Sequence, residues 1–180
     1  MATPPDFTSG AVLTAAQMNA VGMWLVKTQT IGTAVSSVTV TGAFSADYDN
    51  YKIIVSGGVG STSSSLGIRL SASATGYYAG LFYGSYSGAT ASFLGVNNGV
   101  SFTYSGVGTA NSLAANIELL NPFASKVTGI SNSYIDTATA GAAGTVTGFH
   151  NSATSHTAFT LLVGSGTITG GTIRVYGYRN

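Results

Sequence analysis

The sequence has 180 residues, of which 6% are charged, and its formal net charge is +1. Ordinary globular domains carry about 25% charged residues, so the exposed surface here must consist mainly of Ser, Thr, Asn, Gly and Tyr. Such a surface offers little electrostatic repulsion against self-association, which favours an obligate oligomer over a free monomer. The six scattered basic residues are too few for the continuous basic surface that nucleic-acid binding requires.

The absence of cysteine excludes disulfides, thiol catalysis and thiolate metal sites. The first seven residues, MATPPDF, lack the basic and apolar regions of a signal peptide, and no apolar stretch reaches the ~18 residues of a membrane helix. We therefore expect a chain that folds in a cytoplasm and does not insert into a membrane. The length fits one domain with a short appendage, which we place at residues 24–180 and 1–23.

The first predicted element is a short helix over residues 15–21, within the stretch FTSGAVLTAAQMNAVG. Thr14 and Gln17 have the spacing of a capping box, and Gly22 is placed to end the helix in the left-handed conformation. Residues 15–21 form only about two turns, whereas an isolated helix needs ~12 residues to be marginally stable in water. The helix must therefore dock on the chain's own β domain or on another subunit. The predicted docking side chains are Phe7, Leu13, Met18, Val21 and Trp24.

From residue 23 onward, short segments rich in Val, Ile, Thr, Tyr and Phe are separated by Gly, Ser and Asn, as is typical of strands and turns. This recurrence predicts an antiparallel β-sandwich, for which we expect a jelly-roll-like arrangement. The Gly- and Ser-rich stretches 56–65 and 136–144 are predicted to be surface loops. The predicted strands span residues 23–31, 35–42, 50–57, 65–73, 76–84, 90–96, 99–106, 113–121, 126–135, 145–151, 156–164 and 171–179.

Residues 76–86, GYYAGLFYGSY, contain a dense group of aromatic side chains. Such a group forms either a platform for stacking on sugars or proteins, or a core together with a subunit interface. The simpler interpretation is that alternate members fill the core while the others pack against a second copy in a trimer. The candidate surface or trimer contacts are Tyr77, Tyr78, Phe82, Tyr83 and Tyr86.

Two pairs of side chains have metal-ligand chemistry at a short spacing. Asp47 and Asp49 would be able to share a hard cation, but the pair lacks the Gly and Glu of a calcium loop, and turn formation explains it as well. His150 and His156 would face each other across a hairpin turn, which suits a metal with one further ligand. A pair of ordinary histidines at strand ends, exposed or half-buried, is the commoner case, and we expect it here. We therefore assign no metal and no cofactor.

The sequence offers no recognisable set of catalytic residues. Glycan hydrolysis normally requires two suitably spaced carboxyl groups, and Glu118 stands alone in an apolar strand. The chain has no GxSxG nucleophile motif, and the Gly-rich stretch GSGTITGG precedes no helix that would hold a phosphate. We therefore expect a protein without enzymatic activity.

Three stretches resemble segments of tailed-bacteriophage virion proteins. FTSGAVLTAAQMN is similar to the N-terminal F-x-x-G-x-x-L-T-A-A-x-x-N segment of tail-fibre and related proteins, through Phe7, Gly10, Leu13, Thr14, Ala15, Ala16 and Asn19. FSADYDNYKIIV resembles the strand that follows in such proteins, through Phe44, Ser45, Tyr48, Tyr51 and Lys52. GGTIRVYGYRN is similar to their closing strand. The chain departs from long fibres in having no shaft repeats, so a shorter capsid-bound protein stays an alternative.

The resemblance implies a β-rich virion protein, commonly a homotrimer, that is anchored by one end and displays the other. We therefore expect a non-enzymatic, tail-fibre-like structural protein of the virion, assembled in the host cytoplasm. Its N-terminal segment would dock on tail, portal, baseplate or capsid proteins, and its trimeric β domain would attach to the host surface, including surface glycans, by multivalent contacts. The alternatives are a capsid decoration or head-fibre protein that stabilises the shell, and a carbohydrate-binding module.

Overall fold

The structure is a computed structural model that describes residues 10, 12, 22–88, 91–138 and 141–178. All twelve regular elements in this part of the chain are β-strands, and every strand pair is antiparallel, which confirms the predicted all-β class. The predicted helix over residues 15–21 lies outside the described residues, whereas Gly22 is described and has a φ of +100°. The described ranges contain no helix with the length and apolarity needed to cross a membrane.

Each predicted strand overlaps an observed one. The strands are β1 (Trp24–Thr30), β2 (Ser37–Val40), β3 (Asn50–Gly60), β4 (Ser64–Leu70), β5 (Tyr77–Ser85), β6 (Ala91–Gly99), β7 (Phe102–Thr109), β8 (Ser112–Leu120), β9 (Thr128–Ile135), β10 (Ala142–His150), β11 (Phe159–Val163) and β12 (Ile168–Tyr178). The predicted loops are partly wrong, because residues 56–60 belong to β3, residues 64 and 65 begin β4, and residues 142–144 begin β10.

The extension of β3 depends on glycine. Gly58 lies opposite Gly170 in the pairing of β3 with β12. A Cβ atom on Gly58 would clash with the Gly170 carbonyl oxygen, so the two backbones approach each other more closely than any other residue allows. A run of glycines therefore serves here as strand, although composition alone favours a loop.

The strands form a long sheet and a short sheet. The long sheet has the order β1-β12-β3-β8-β9-β10-β5-β6, and the short sheet has the order β2-β11-β4-β7. The two are joined at one corner, where the last residues of β7 pair with the first residues of β8. Since β7 and β8 are consecutive in the chain, this hairpin carries the chain from the short sheet to the long one.

Side chains from both sheets fill one apolar core. On β3 the buried residues Tyr51, Ile53 and Val55 alternate with outward-facing ones, as the two-residue period of a strand requires. β11 of the short sheet contributes Phe159, whose ring stacks on that of Phe44 at a centroid distance of 5.8 Å. Full burial of each such side chain contributes about 1.5–3 kcal/mol to the free energy of unfolding.

Two buried tyrosines attach loops to this core. The Tyr51 hydroxyl accepts a hydrogen bond of 2.7 Å from the Ser45 amide and donates one of 2.9 Å to the Ser45 carbonyl. The Tyr77 hydroxyl accepts a bond of 2.8 Å from the Leu70 amide and donates one of 3.0 Å to the Ser73 carbonyl. Burial raises the pKa of both hydroxyls, which stay neutral and fully hydrogen-bonded.

Candidate functional site

The outer face of the long sheet, which points away from the core, carries the most distinctive exposed surface among the described residues. Strand pairing aligns its side chains in rows that cross the strands. One row, in the order from β6 to β8, is Phe93, Phe82, Thr145, Ser133 and Asn116. Along this row the face is aromatic at β6 and β5 and polar at β10, β9 and β8.

The aromatic part contains a shallow depression of about 430 Å³, which we call the aromatic depression. Tyr78 and Phe149 form one wall, with ring centroids 5.2 Å apart and an angle of 13° between the ring planes. Phe93 lies over Gly80, since a Cβ atom on that glycine would be 2.7 Å from the Phe93 ring. The lining residues are Tyr78, Ala79, Gly80, Phe93, Gly95, Val96, Asn97, Thr147, Gly148 and Phe149.

The polar part contains a second depression of about 180 Å³, which we call the hydroxyl depression. Its depth follows from the sequence of β9, in which the three successive outward residues Gly129, Ser131 and Ser133 are small and leave a low floor between taller neighbours. The lining residues are Lys52, Asn116, Glu118, Ser131, Asn132, Ser133 and Thr145.

At the rim of the hydroxyl depression, Lys52 on β3 and Glu118 on β8 lie directly opposite each other. The Tyr178 hydroxyl donates a hydrogen bond to a Glu118 carboxylate oxygen. Desolvation, and then the neighbouring carboxylate, raise the pKa of Tyr178, so this hydroxyl remains a donor at neutral pH. Glu118 is thus held in place by a tyrosine rather than standing alone.

The five aromatic residues predicted as surface or trimer contacts occupy different environments. Tyr77 is fully buried, so the prediction that it is a contact residue is corrected: its side chain packs on Phe102 and closes two loop hydrogen bonds in the core. Tyr78 and Phe82 lie on the outer face, Tyr83 is half-buried on the inner face, and Tyr86 is exposed in the turn after β5.

Only Trp24 of the predicted docking residues is described. It begins β1, lies opposite Gly177 and is half-buried. Phe7, Leu13, Met18 and Val21 fall outside the described residues, so their predicted docking role stays a prediction.

The edge strand β6 exposes apolar side chains on both of its faces. Among the described residues it pairs only with β5. Phe93 on the outer face is 67% exposed, and Leu94 on the inner face is 40% exposed. The strand contains no charged residue and no proline, although these are the residues that usually protect an edge strand from pairing with another chain.

The expectation that the two histidines are exposed or half-buried is wrong, because both rings lie inside the protein. They do face each other, as the alternative had it, but not across a hairpin turn, since β10 and β11 belong to different sheets. His150 and His156 are both buried, and their ring centroids lie 5.3 Å apart. The His150 Nε2 atom lies 2.8 Å from the Ser73 hydroxyl and 3.1 Å from the Thr75 carbonyl oxygen, so the neutral ring carries its hydrogen on Nε2. Desolvation lowers the pKa of both rings, and the proximity of His150 lowers that of His156 further.

Neither the acidic pair Asp47 and Asp49 nor the pair His150 and His156 belongs to a metal-binding cluster in the part of the chain that the structure describes. Asp47 accepts a hydrogen bond of 3.0 Å from the Ser45 hydroxyl at the turn before β3, in keeping with a turn-forming role. No group of three or more His, Cys, Asp or Glu side chains in the described ranges is arranged to hold a metal ion.

Comparison with known proteins leaves the chain without an assigned relative. No family model, no curated protein and no solved structure matches it.

Proposed function

We propose that the chain is a non-enzymatic structural subunit of a tailed-phage virion, tail-fibre-like, whose β domain assembles with copies of itself. The observation that carries the proposal is the unprotected edge strand β6, with exposed Leu94 on its inner face and no charge along its length. A free monomer with this edge would be prone to aggregate, whereas a subunit that covers the edge would not. Residues 7–19 and 44–55 resemble segments of phage virion proteins, and this resemblance supports a phage virion as the particle that contains such a subunit.

A jelly-roll-like sandwich is the fold that we propose for the two sheets. In a jelly roll, the first, eighth, third and sixth strands form one sheet, and the second, seventh, fourth and fifth form the other. The order β1-β12-β3-β8 within the long sheet fits the first of these, and the order β2-β11-β4-β7 fits the second, when the β5–β6 and β9–β10 hairpins are taken as insertions. The two inserted hairpins then extend the long sheet beyond β8, in the order β9-β10-β5-β6.

A homotrimer is the proposed assembly, and low charge supports a second copy as the partner of β6. The whole chain has a net charge of +1, so copies repel one another only weakly. Trimerisation would also multiply weak contacts between the displayed domain and a host surface without requiring a strong single site.

The attachment role is proposed for residues 1–23, and its test is removal of residues 1–22. The described core residues begin at Ile31, so we expect the truncated chain to fold and assemble but to be missing from purified particles. Normal incorporation of a folded, truncated chain would contradict the attachment role.

Gold labelling of the full chain on particles gives its location: a tail position supports the tail-fibre-like role, and an even distribution over the shell favours a decoration protein instead.

A further inference from the structure

We propose that the outer face of the long sheet binds a neutral oligosaccharide, which occupies the hydroxyl depression and the aromatic depression together. The inference deepens the proposed function and rests on it in one respect, since a displayed domain needs a surface ligand.

The hydroxyl depression presents unused hydrogen-bonding groups. The side chains of Asn116, Ser131, Ser133 and Thr145 make no hydrogen bond to another described residue. Hydroxyl and amide groups both donate and accept, and sugar hydroxyls do the same. A sugar ring seated on the floor formed by Ser131 and Ser133 would therefore find partners for either orientation of its own hydroxyl groups.

The aromatic depression provides the apolar contacts to the same oligosaccharide. Phe93 lies along the sheet over Gly80, and the stacked rings of Tyr78 and Phe149 stand as a wall beside it. Rings held against a sheet keep their orientation, so the C–H face of a sugar would stack on them without ordering a mobile loop. Asn97 and Thr147 at the edge add polar groups that fix orientation.

The two depressions lie close enough for one ligand. Thr147, which lines the aromatic depression, is directly opposite Ser131, which lines the hydroxyl depression. Neighbouring strands are about 4.7–4.9 Å apart. A ligand of several sugar units would therefore reach from Phe93 to Asn116 along one row of side chains.

The charge of the site favours a neutral ligand. Among the residues that line the two depressions, only Lys52 and Glu118 are charged, and they face each other with opposite signs. A single lysine does not provide the basic surface that phosphate-rich or sulfated polymers require. A second copy of the chain is a poorer occupant, because covering the hydroxyl depression with an apolar surface would leave its polar groups without partners.

The experiment is saturation-transfer NMR of the full chain with four probes, each at about 10 mM so that millimolar affinity is detected: maltohexaose, cellohexaose, xylohexaose and mannohexaose. Heparin hexasaccharide serves as the charged comparison. We expect transfer to at least one neutral probe, with calorimetry giving its affinity. Absence of transfer to all four neutral probes, or transfer to the charged probe alone, would overturn the inference.

Site variants then place the ligand. Phe149→Ala and Asn116→Ala should each weaken binding about tenfold. Tyr86→Ala is the matched control, since it removes an aromatic side chain that is 55% exposed but lies outside both depressions, and it should leave the affinity unchanged. Equal binding by all three variants, with native circular dichroism, would show that the ligand lies elsewhere.

The same samples separate this inference from the proposed function. A chain that assembles but binds no neutral probe refutes the saccharide site alone. A chain that binds a neutral probe as a stable monomer refutes the proposed assembly alone.

Discussion

Tyr77 and Phe82 lie five residues apart on the same strand and have opposite surroundings. Tyr77 is 0% exposed and contacts Phe102 and His150, whereas Phe82 is 59% exposed on the outer face. The stretch GYYAGLFYGSY therefore does two things at once: its inward aromatic residues hold the two sheets together, and its outward ones leave an apolar surface open. Aromatic content alone does not distinguish these roles, but the two-residue period of the strand does.

The largest expected effect of this contrast is on stability. Tyr77→Ala should lower the free energy of unfolding by about 3–5 kcal/mol, because it leaves a cavity in the core. Tyr77→Phe should cost about 1–3 kcal/mol, because the buried Leu70 amide loses its acceptor. Phe82→Ala is the control on the opposite face and should change stability by no more than about 0.5 kcal/mol. Urea unfolding measures all three, and equal losses at Tyr77 and Phe82 would show that the assignment of faces is wrong.

Two glycines provide a second contrast, between a covered and an open surface. The Tyr48 ring packs over Gly177, so Gly177→Ala should cost about 1–3 kcal/mol by displacing that ring. Gly84 on β5 has open space where its Cβ would be, so Gly84→Ala should be neutral or stabilise the strand by up to about 1 kcal/mol. Thermal unfolding of both variants checks the difference. A loss of stability in Gly84→Ala equal to that in Gly177→Ala would indicate that the open face is covered.

Because of the two buried histidines, the free energy of unfolding should decrease in acid. Their folded-state pKa values lie below the ordinary 6.5, so the unfolded chain binds protons more readily than the folded one. The stabilising contribution of the neutral histidines is therefore fully present above about pH 6.5 and is lost as the pH falls below that value towards the folded-state pKa values. The free energy of unfolding then decreases by at most about 1.4 kcal/mol per pH unit for each histidine.

Urea unfolding at about pH 7.5 and pH 5.5 measures this loss, in a range where most carboxylates stay ionised. His156→Gln should reduce the pH dependence of the free energy of unfolding. The substitution removes one of the two titrating rings, and it also removes the ring that His150 faces. Equal stability of the native sequence at the two pH values would contradict the account of the pair.

The strand pattern was predictable because alternation of apolar and polar residues is local. All twelve predicted strands overlap observed ones. The burial of His150 and His156 was not predictable in this way, because the residues that contact the His150 ring, Ser73 and Thr75, lie 75 or more residues away in the sequence. The glycine-rich end of β3 was missed, since its strand character depends on Gly170 of β12, more than a hundred residues away.

The candidate site was less predictable, because it depends on register between distant strands. Phe93 and Phe149 belong to the aromatic depression but were not selected, since nothing near them in sequence places them beside Tyr78. An uncharged strand such as β6 is typical of the interior of a sheet, so its composition gave no signal that it lies at an edge. The hydroxyl depression depends on the small residues Ser131 and Ser133 facing the same way between longer neighbours, and that face is fixed only by pairing with β8 and β10.

The mass of the full chain in solution, measured by light scattering after size-exclusion chromatography, tests the central claim that the open strand β6 is covered by another copy. We expect a particle of three times the 18.1 kDa of one chain. Leu94→Lys, which places a charge on the inward side of the edge, should give folded chains of 18.1 kDa. A native chain that remains at 18.1 kDa at all concentrations, or a variant that keeps the full assembly, would contradict the claim.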